Sequence, residues 1–505
     1  MLVEKDLRVI GLMFAKLSLM LRSQKVTTWL LWCLIIIYIT FFTVVSFLRH
    51  ERFETAAYDL GIFDQVVWFT SQGKILKLTN LPDNYSLLNV HFAPILIPLS
   101  LSYLVAPTPK TLLLLQSVSL GLSALPIFWL AKQKLNVWAG LAFTLIYLLF
   151  PALEGANLFD FHPATLAVVF LAFAYWYLQC RNYKMFLLFA LLIMSCKEEL
   201  SLYVVMMGLY AAVINRDWKI GIGIFILGMV VFLTVNLVVM PIFSHTSQVN
   251  FHLFRYSALG DTAGDMLQTL LSRPKYVWEY IASDKNRLYY LRNLLAPTAY
   301  LSLLDPATLL TIIPTVAINV LSNWTPTYAL DRFHYTAPAV PFIVAAAING
   351  MAWLVKLIQR LYKLRRTFII ALFIGATLVV AVWYHVRFGH TPIGGNYYLP
   401  AQEPRHAVAH QLLDLIPPDA IVSAQANLNP HLTHRVVTYS FPKIEDSREG
   451  PATYIALDTI GNIFPLWPDD YNTLVGELYN GGDYEAIFEQ DGYLLLRRIS
   501  GVDDL

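Results

Sequence analysis

The sequence predicts an all-α polytopic transmembrane bundle of about eleven spans, followed by a small extracytoplasmic α/β domain. Three observations carry this prediction. Hydrophobic residues fill 57% of the 505 positions and charged residues only 14%, with a mean hydropathy of +0.54, more apolar surface than a soluble core needs. Apolar runs near the length of a membrane crossing recur from Thr27 to Arg387. From about Thr391 the composition becomes that of a water-soluble domain, and residues 390–505 hold 6 of the 36 Lys and Arg but 16 of the 34 Asp and Glu. A basic membrane part with an acidic tail offers no nucleic-acid surface.

A helix needs about 20 mostly apolar residues to cross roughly 30 Å of hydrocarbon. The first run, 27–48, is longer than a signal-peptide core and no small-residue cleavage site follows it. It reads as a retained anchor behind a basic N-terminal segment, 1–26. Further spans are expected at 111–131, 136–153, 163–180, 184–196, 199–214, 219–242, 288–304, 307–322, 337–358 and 367–387, so that the membrane region covers 27–389. The short pair 184–196 and 199–214 could equally be one broken hairpin. Lys and Arg near span ends resist translocation. In this scheme the segments bearing Lys5 to Lys25, Lys132 and Lys134, Arg181 and Lys184, Arg216 and Lys219, and Lys356 to Arg366 all fall on one side. That side is the cytoplasmic face of a multi-pass cell-membrane protein, and residues 390–505 lie outside.

Two long external segments result, 49–110 and 244–287. In the first, GIFDQVVWF reads as an amphipathic helix, and 91–106, rich in proline, as an interfacial or half-inserted helix. In the outer domain, helices are expected at 404–416, 427–433 and 470–479, and strands at 420–424, 435–439, 452–458, 484–489 and 492–498. Cys33, Cys180 and Cys196 show no CxxC spacing, so neither a disulfide framework nor a cysteine metal site is readable.

Ionisable residues gather in six short motifs, all external in this scheme. Tyr58-Asp59-Leu60-Gly61-Ile62-Phe63-Asp64 places two carboxylates just after the first span, able to act as general base or hold a cation; the plain alternative is that Asp59 caps a helix and Asp64 is solvated. Asn89-Val90-His91 opens the interfacial helix and could orient a carboxylate or move a proton. Glu154, Asn157, Asp160 and His162 crowd one short connection between spans, and Lys197-Glu198-Glu199 interrupts an apolar stretch, where charges mark a site or pair with one another. Arg255-Tyr256 and Asp331-Arg332-Phe333-His334 add guanidinium groups suited to a phosphate or pyrophosphate, although single cations also snorkel to the head groups of membrane lipids. Snorkelling alone does not explain why all six share one side.

The stretches YDLGIFDQVVW, HFAPILIPL, GANLFDFHPATLAV, KEELSLYVV and DRFHYTAPAVPF, spread over residues 55–345, resemble a family of polytopic bacterial and archaeal membrane proteins catalogued as a domain of unknown function. That family is similar to the C-type (GT-C) membrane glycosyltransferases. The resemblance implies a GT-C-like bundle and an inverting transfer of sugar from a polyprenyl phosphate or pyrophosphate donor to a lipid, glycan or protein acceptor. It also implies Asp59 as the catalytic carboxylate, with Asp64 and His91 beside it. Lys197, Arg255 and Arg332 would take the phosphate. Glu154, Asn157, Asp160, His162, Glu198, Glu199, Tyr256 and His334 would complete the substrate site. Leu60 stands where many relatives carry a second acidic residue, which puts metal dependence in doubt; a divalent ion, Mg2+ or Mn2+, would be held, if at all, by Asp59, His91, Asp160 and His162. A transporter or flippase is the competing reading, but the sequence shows no repeated halves and its charges sit at span ends. A non-catalytic protein that binds lipid-linked glycans is the third.

Overall fold

A computed structural model of the chain describes residues 24–81, 85–243 and 253–499. The N-terminal basic residues Lys5, Arg8, Lys16 and Arg22, and the start of the second external segment at 244–252, lie outside the described residues.

Helices form wherever the apolar runs predict them, with one exception. Among the described residues five are long and apolar enough to cross a membrane: Lys25–Glu51, Pro109–Lys134, Trp218–Phe243, His334–Leu361 and Arg366–Phe388. Their outward faces carry exposed Ile36, Val230, Leu237, Leu372 and Val379, as lipid contact requires. Val137–Leu148 and Pro151–Leu158 form a pair bent by 48°, broken where Pro151 removes a backbone donor. Pro163–Gln179, Tyr183–Met194 and Pro306–Leu321 are shorter apolar helices, and Ser201–Val213 is a helix of 13 residues. The stretch 288–304 is not a continuous span. Its helix ends at Leu294, and Ala299 and Tyr300 take left-handed backbone (φ 50° and 57°) between short 3-10 turns. Apolar length predicted one continuous span there, and the helix instead stops at Leu294.

The loops sort into two groups by their contacts. Arg366 donates to the Lys134 carbonyl at 2.9 Å, while Arg181 donates to the Asn215 carbonyl at 2.8 Å and pairs with Asp217 at 3.7 Å, so loops rich in Lys and Arg meet one another. Residues 50–85, which carry Asp59 and Asp64, meet the C-terminal domain instead.

That domain is a five-stranded sheet built from β1 (Val422–Ala424), β2 (Thr438–Ser440), β5 (Tyr454–Asp458), β6 (Tyr484–Gln490) and β7 (Tyr493–Arg498) in the order β2-β1-β5-β7-β6. The first three strands in that order run parallel, and β7 runs antiparallel to both its neighbours, β5 and β6. A small hairpin, β3 (Glu445–Asp446) with β4 (Gly450–Pro451), is an addition to the expected set, and the helix expected at 427–433 is a single turn, Asn429–His431. Helix Pro404–Asp414 covers one face and Pro468–Asn480 the other, with Val408, Leu412, Val422 and Leu495 on the first side and Tyr439, Ile455, Leu457 and Leu496 on the second.

The domain is clasped to the segment that follows the first long helix. Phe53, in left-handed backbone (φ 58°), sits in the domain's own core beside Val408 and Leu412, and the His50 ring stacks on His431 at 4.2 Å. Ala57 N–H donates to the Ala426 carbonyl at 2.8 Å, and the amides of Asn80 and Asn429 donate to each other at 3.2 and 3.3 Å. Thr79 and Thr438 exchange two hydrogen bonds at 3.1 Å, and Ser440 N–H reaches the Asn80 carbonyl, so residues 79–80 extend the open edge of β2. Lys77 pairs with Glu449 at 3.1 Å, and Tyr85 donates to Asp446. Asp64 is fully buried, accepts from Tyr103 and Thr433, and lies 3.0 Å from His434 Nε2.

Replacing Asp64 with Ala leaves the Tyr103 and Thr433 hydroxyls without this acceptor and His434 without its carboxylate, so the clasp is expected to weaken by about 2–4 kcal/mol. Faster proteolysis of the 389–403 connection than in the wild type would show it, and unchanged cleavage would refute it. Asp446 supplies a pH test. Burial alone would raise its pKa, but the Lys443 ammonium, the Tyr85 hydroxyl and the Arg448 N–H outweigh burial and hold the carboxyl well below the usual carboxylate range. A depressed native pKa stabilises the clasp above the unfolded pKa near 4 and is lost as pH falls below it. The same proteolysis is therefore expected to accelerate between about pH 4 and pH 2, and this acceleration should be smaller in Asp446→Asn.

Candidate functional site

Beyond Phe53 the chain enters one wide turn, Ala57–Gly61, before helix Ile62–Ser71. The turn is pinned from below by Asp160, whose carboxylate accepts from Ala56 N–H at 2.6 Å and from the Leu60 N–H. A carboxylate at the start of a helical segment satisfies backbone donors that have no partner within the helix. Asp59 projects from this turn. Burial first, and the neighbouring Asp160 second, push its carboxyl up to about 7, against the pull of Lys197 and Arg255. Asp160 is itself raised to about 6 by burial, although Arg49 and the two N–H groups oppose the rise.

His162 caps helix Pro163–Gln179, and its backbone N–H donates to Gln116 Oε1 at 2.9 Å. Its ring stacks on His334 at 3.6 Å with 13° between planes, and Phe63 closes over it edge to face at 5.0 Å. His334 opens the turn that leads into helix Val340–Leu361. Asp331 and Arg332 can approach this connection only because residue 155 is glycine, since a Cβ there would lie 2.1 Å from the Asp331 carbonyl oxygen.

His91 stands 5.9 Å from His162, ring centre to ring centre. Its Nδ1 bonds Glu198 Oε1 at 3.1 Å, while Glu198 Oε2 accepts the Phe92 N–H at 3.0 Å and Ile95 N–H reaches the Ser195 carbonyl. Lys197 pairs with Glu199 at 2.8 Å and lies over the Tyr335 ring. Lys197, Glu199, Asn319, His334 and Tyr335 line a small recess together with Leu200, Thr315 and Pro338. Tyr256 donates to the Ile318 carbonyl beside that recess at 3.2 Å, and Arg255 lies over Trp324 with its Nε buried and unpartnered.

The structure thus joins Asp59, His91, Asp160, His162, Lys197, Glu198, Glu199, Arg255, Tyr256 and His334 in one chain of contacts. Four expected residues lie apart from it. Asp64 belongs to the clasp. Glu154 turns to the end of the last span, accepting the His390 N–H at 2.7 Å and facing His385 Nδ1 at 3.3 Å. Asn157 takes a hydrogen bond from Ser117 at 2.9 Å and packs helices. Arg332 is exposed, whereas its neighbour Asp331 accepts from His390 and Asn396. Two supporting residues escaped the sequence reading. Gln116, fully buried, also donates to the carbonyls of Ala156 and Phe159, at 3.2 and 3.3 Å. Its isolation among leucines in an apolar run was the available signal. Arg49, ion-paired with Glu54 at 3.3 Å, gave none beyond its place at a span end.

Among solved structures the chain is similar to ArnT from Cupriavidus metallidurans bound to undecaprenyl phosphate, with a TM-score of 0.46 and 11% identity over 92% of this chain and 98% of that one. The apo state of the same protein gives the same values. The Archaeoglobus fulgidus oligosaccharyltransferase tethered with an acceptor peptide gives 0.38 and 12%, over 92% of this chain and 74% of that one. No curated protein matches the chain. The family described as predicted membrane protein (DUF2079) matches residues 49–495, and the chain belongs to that family.

Proposed function

We propose that this multi-pass membrane protein is a glycosyltransferase that moves a sugar from a polyprenyl phosphate or pyrophosphate to an acceptor at the extracytoplasmic face. The observation that carries the reading is the convergence of Asp59 with the cations Lys197 and Arg255 next to a recess, drawn from three distant stretches of chain. A carboxyl poised near neutrality is suited to taking a proton from a hydroxyl. In this mechanism Asp59 takes the acceptor's hydroxyl proton as that oxygen attacks the anomeric carbon. The bond from that carbon to the phosphate oxygen breaks, and the lipid phosphate leaves with the electron pair. Lys197 and Arg255 stabilise the departing charge in a site of low dielectric. Glu198 orients His91 beside the acceptor path, and Tyr256 lines the entry from the second external segment. The excess of Lys and Arg in the opposite loops supports placing the site and the outer domain outside.

Incubating the purified chain in nanodiscs with labelled polyprenyl-linked sugars and candidate acceptors tests this. Asp59→Asn should lower kcat by about 10²–10⁴-fold, the range of general-base catalysis, with donor binding retained. Absence of transfer from every donor, or equal turnover by Asp59→Asn, would reject the proposal. Movement of intact donor between leaflets without transfer would favour a flippase.

A further inference from the structure

Asp59, His162 and His334 each offer one ligand atom, and these atoms all lie within 4.8 Å of one another. Among the described residues no other set of three His, Cys, Asp or Glu side chains converges in this way. The remaining nearby candidates are committed elsewhere. Asp160 accepts the N–H groups of Ala56 and Leu60, and His91 Nδ1 is bonded to Glu198. The ligand set expected from the sequence, with His91 and Asp160, is therefore not the set that meets.

A second observation points to a ligand. His334 is only 3% exposed, yet neither ring nitrogen has a hydrogen-bond partner. An imidazole buried this way is unfavourable unless something occupies its lone pair.

We propose that Asp59, His162 and His334 bind a divalent transition-metal ion of the zinc class. Two imidazoles and one carboxylate suit zinc and its neighbours, whereas Mg2+ prefers oxygen ligands and retains its waters. With ligand bonds of about 2.0–2.1 Å, the three donor atoms must draw in to roughly 3.3 Å apart. A ring nitrogen's lone pair lies in the ring plane, so two imidazoles stacked at 3.6 Å cannot both aim at one ion. Binding tilts the His334 ring out of the stack, and no hydrogen bond of that ring has to break. Three protein ligands leave a position open for water or a substrate oxygen. The proposal rests on the donor set and not on sugar transfer.

The full chain, without a polyhistidine tag, is loaded with ZnCl2 in detergent, desalted and analysed for metal. The wild type should retain about one equivalent, and Asp59→Asn and His334→Gln should each bind at least tenfold more weakly while eluting as the wild type does. His410→Ala, an exposed histidine of the outer domain, serves as the control and should bind zinc as the wild type does. X-ray absorption at the zinc edge of the wild type should show imidazole ligands, a readout independent of how the variants fold. Retention below about a tenth of an equivalent, unchanged zinc content in both variants, a spectrum without imidazole, or displacement of zinc by an equal concentration of MgCl2 would each overturn the proposal.

Discussion

Asp160 holds the candidate site together. Its carboxylate sits at the junction of two segments that are a hundred residues apart in sequence, and the bond from Ala56 N–H at 2.6 Å fixes their separation. Without it the Ala57–Gly61 turn would have unpaired donors in an apolar setting, and Asp59 would have no defined position relative to His162. The same short connection is tied to the Pro109–Lys134 helix by Gln116 and to the Asp331 strand of chain by the absence of a side chain at Gly155. Rigidity at this one place lets residues from the first loop, the third connection and the stretch before His334–Leu361 share a few ångströms.

Much of the fold was legible because lipid imposes a simple rule, that a long apolar run must satisfy its own backbone and so become helical. Runs such as 219–242 and 367–387 have no other solution. Composition cannot register where a run is broken, and 288–304 shows this: its residues are apolar enough, but the helix stops at Leu294, and Pro297 and two left-handed residues keep it from resuming. The C-terminal domain's strands were legible from short buried runs flanked by turns, while 427–433 looked helical and is mostly an irregular stretch whose amides serve the clasp.

The site residues illustrate a different limit. Asp59 and Asp64 are five positions apart and chemically identical, and their separation into a site carboxylate and a clasp carboxylate is decided by Thr433 and His434, nearly 370 residues away. Likewise Glu154 and Asp160 share one motif, yet one answers to His390 and the other to Ala56. Local sequence identifies polar groups that need partners, and only the long-range topology says which partners they find.

The clasp also constrains the order in which the molecule can be made. Phe53 completes a core whose other members begin at Val408, and Asn80 waits for Asn429, 349 residues further along the chain. Until the last fifth of the polypeptide has been synthesised and has reached the same side of the bilayer, the first loop carries an uncovered aromatic ring and unpaired amides. Assembly of this face is therefore a late event with very distant contacts, slow by its topology and exposed to quality-control proteases.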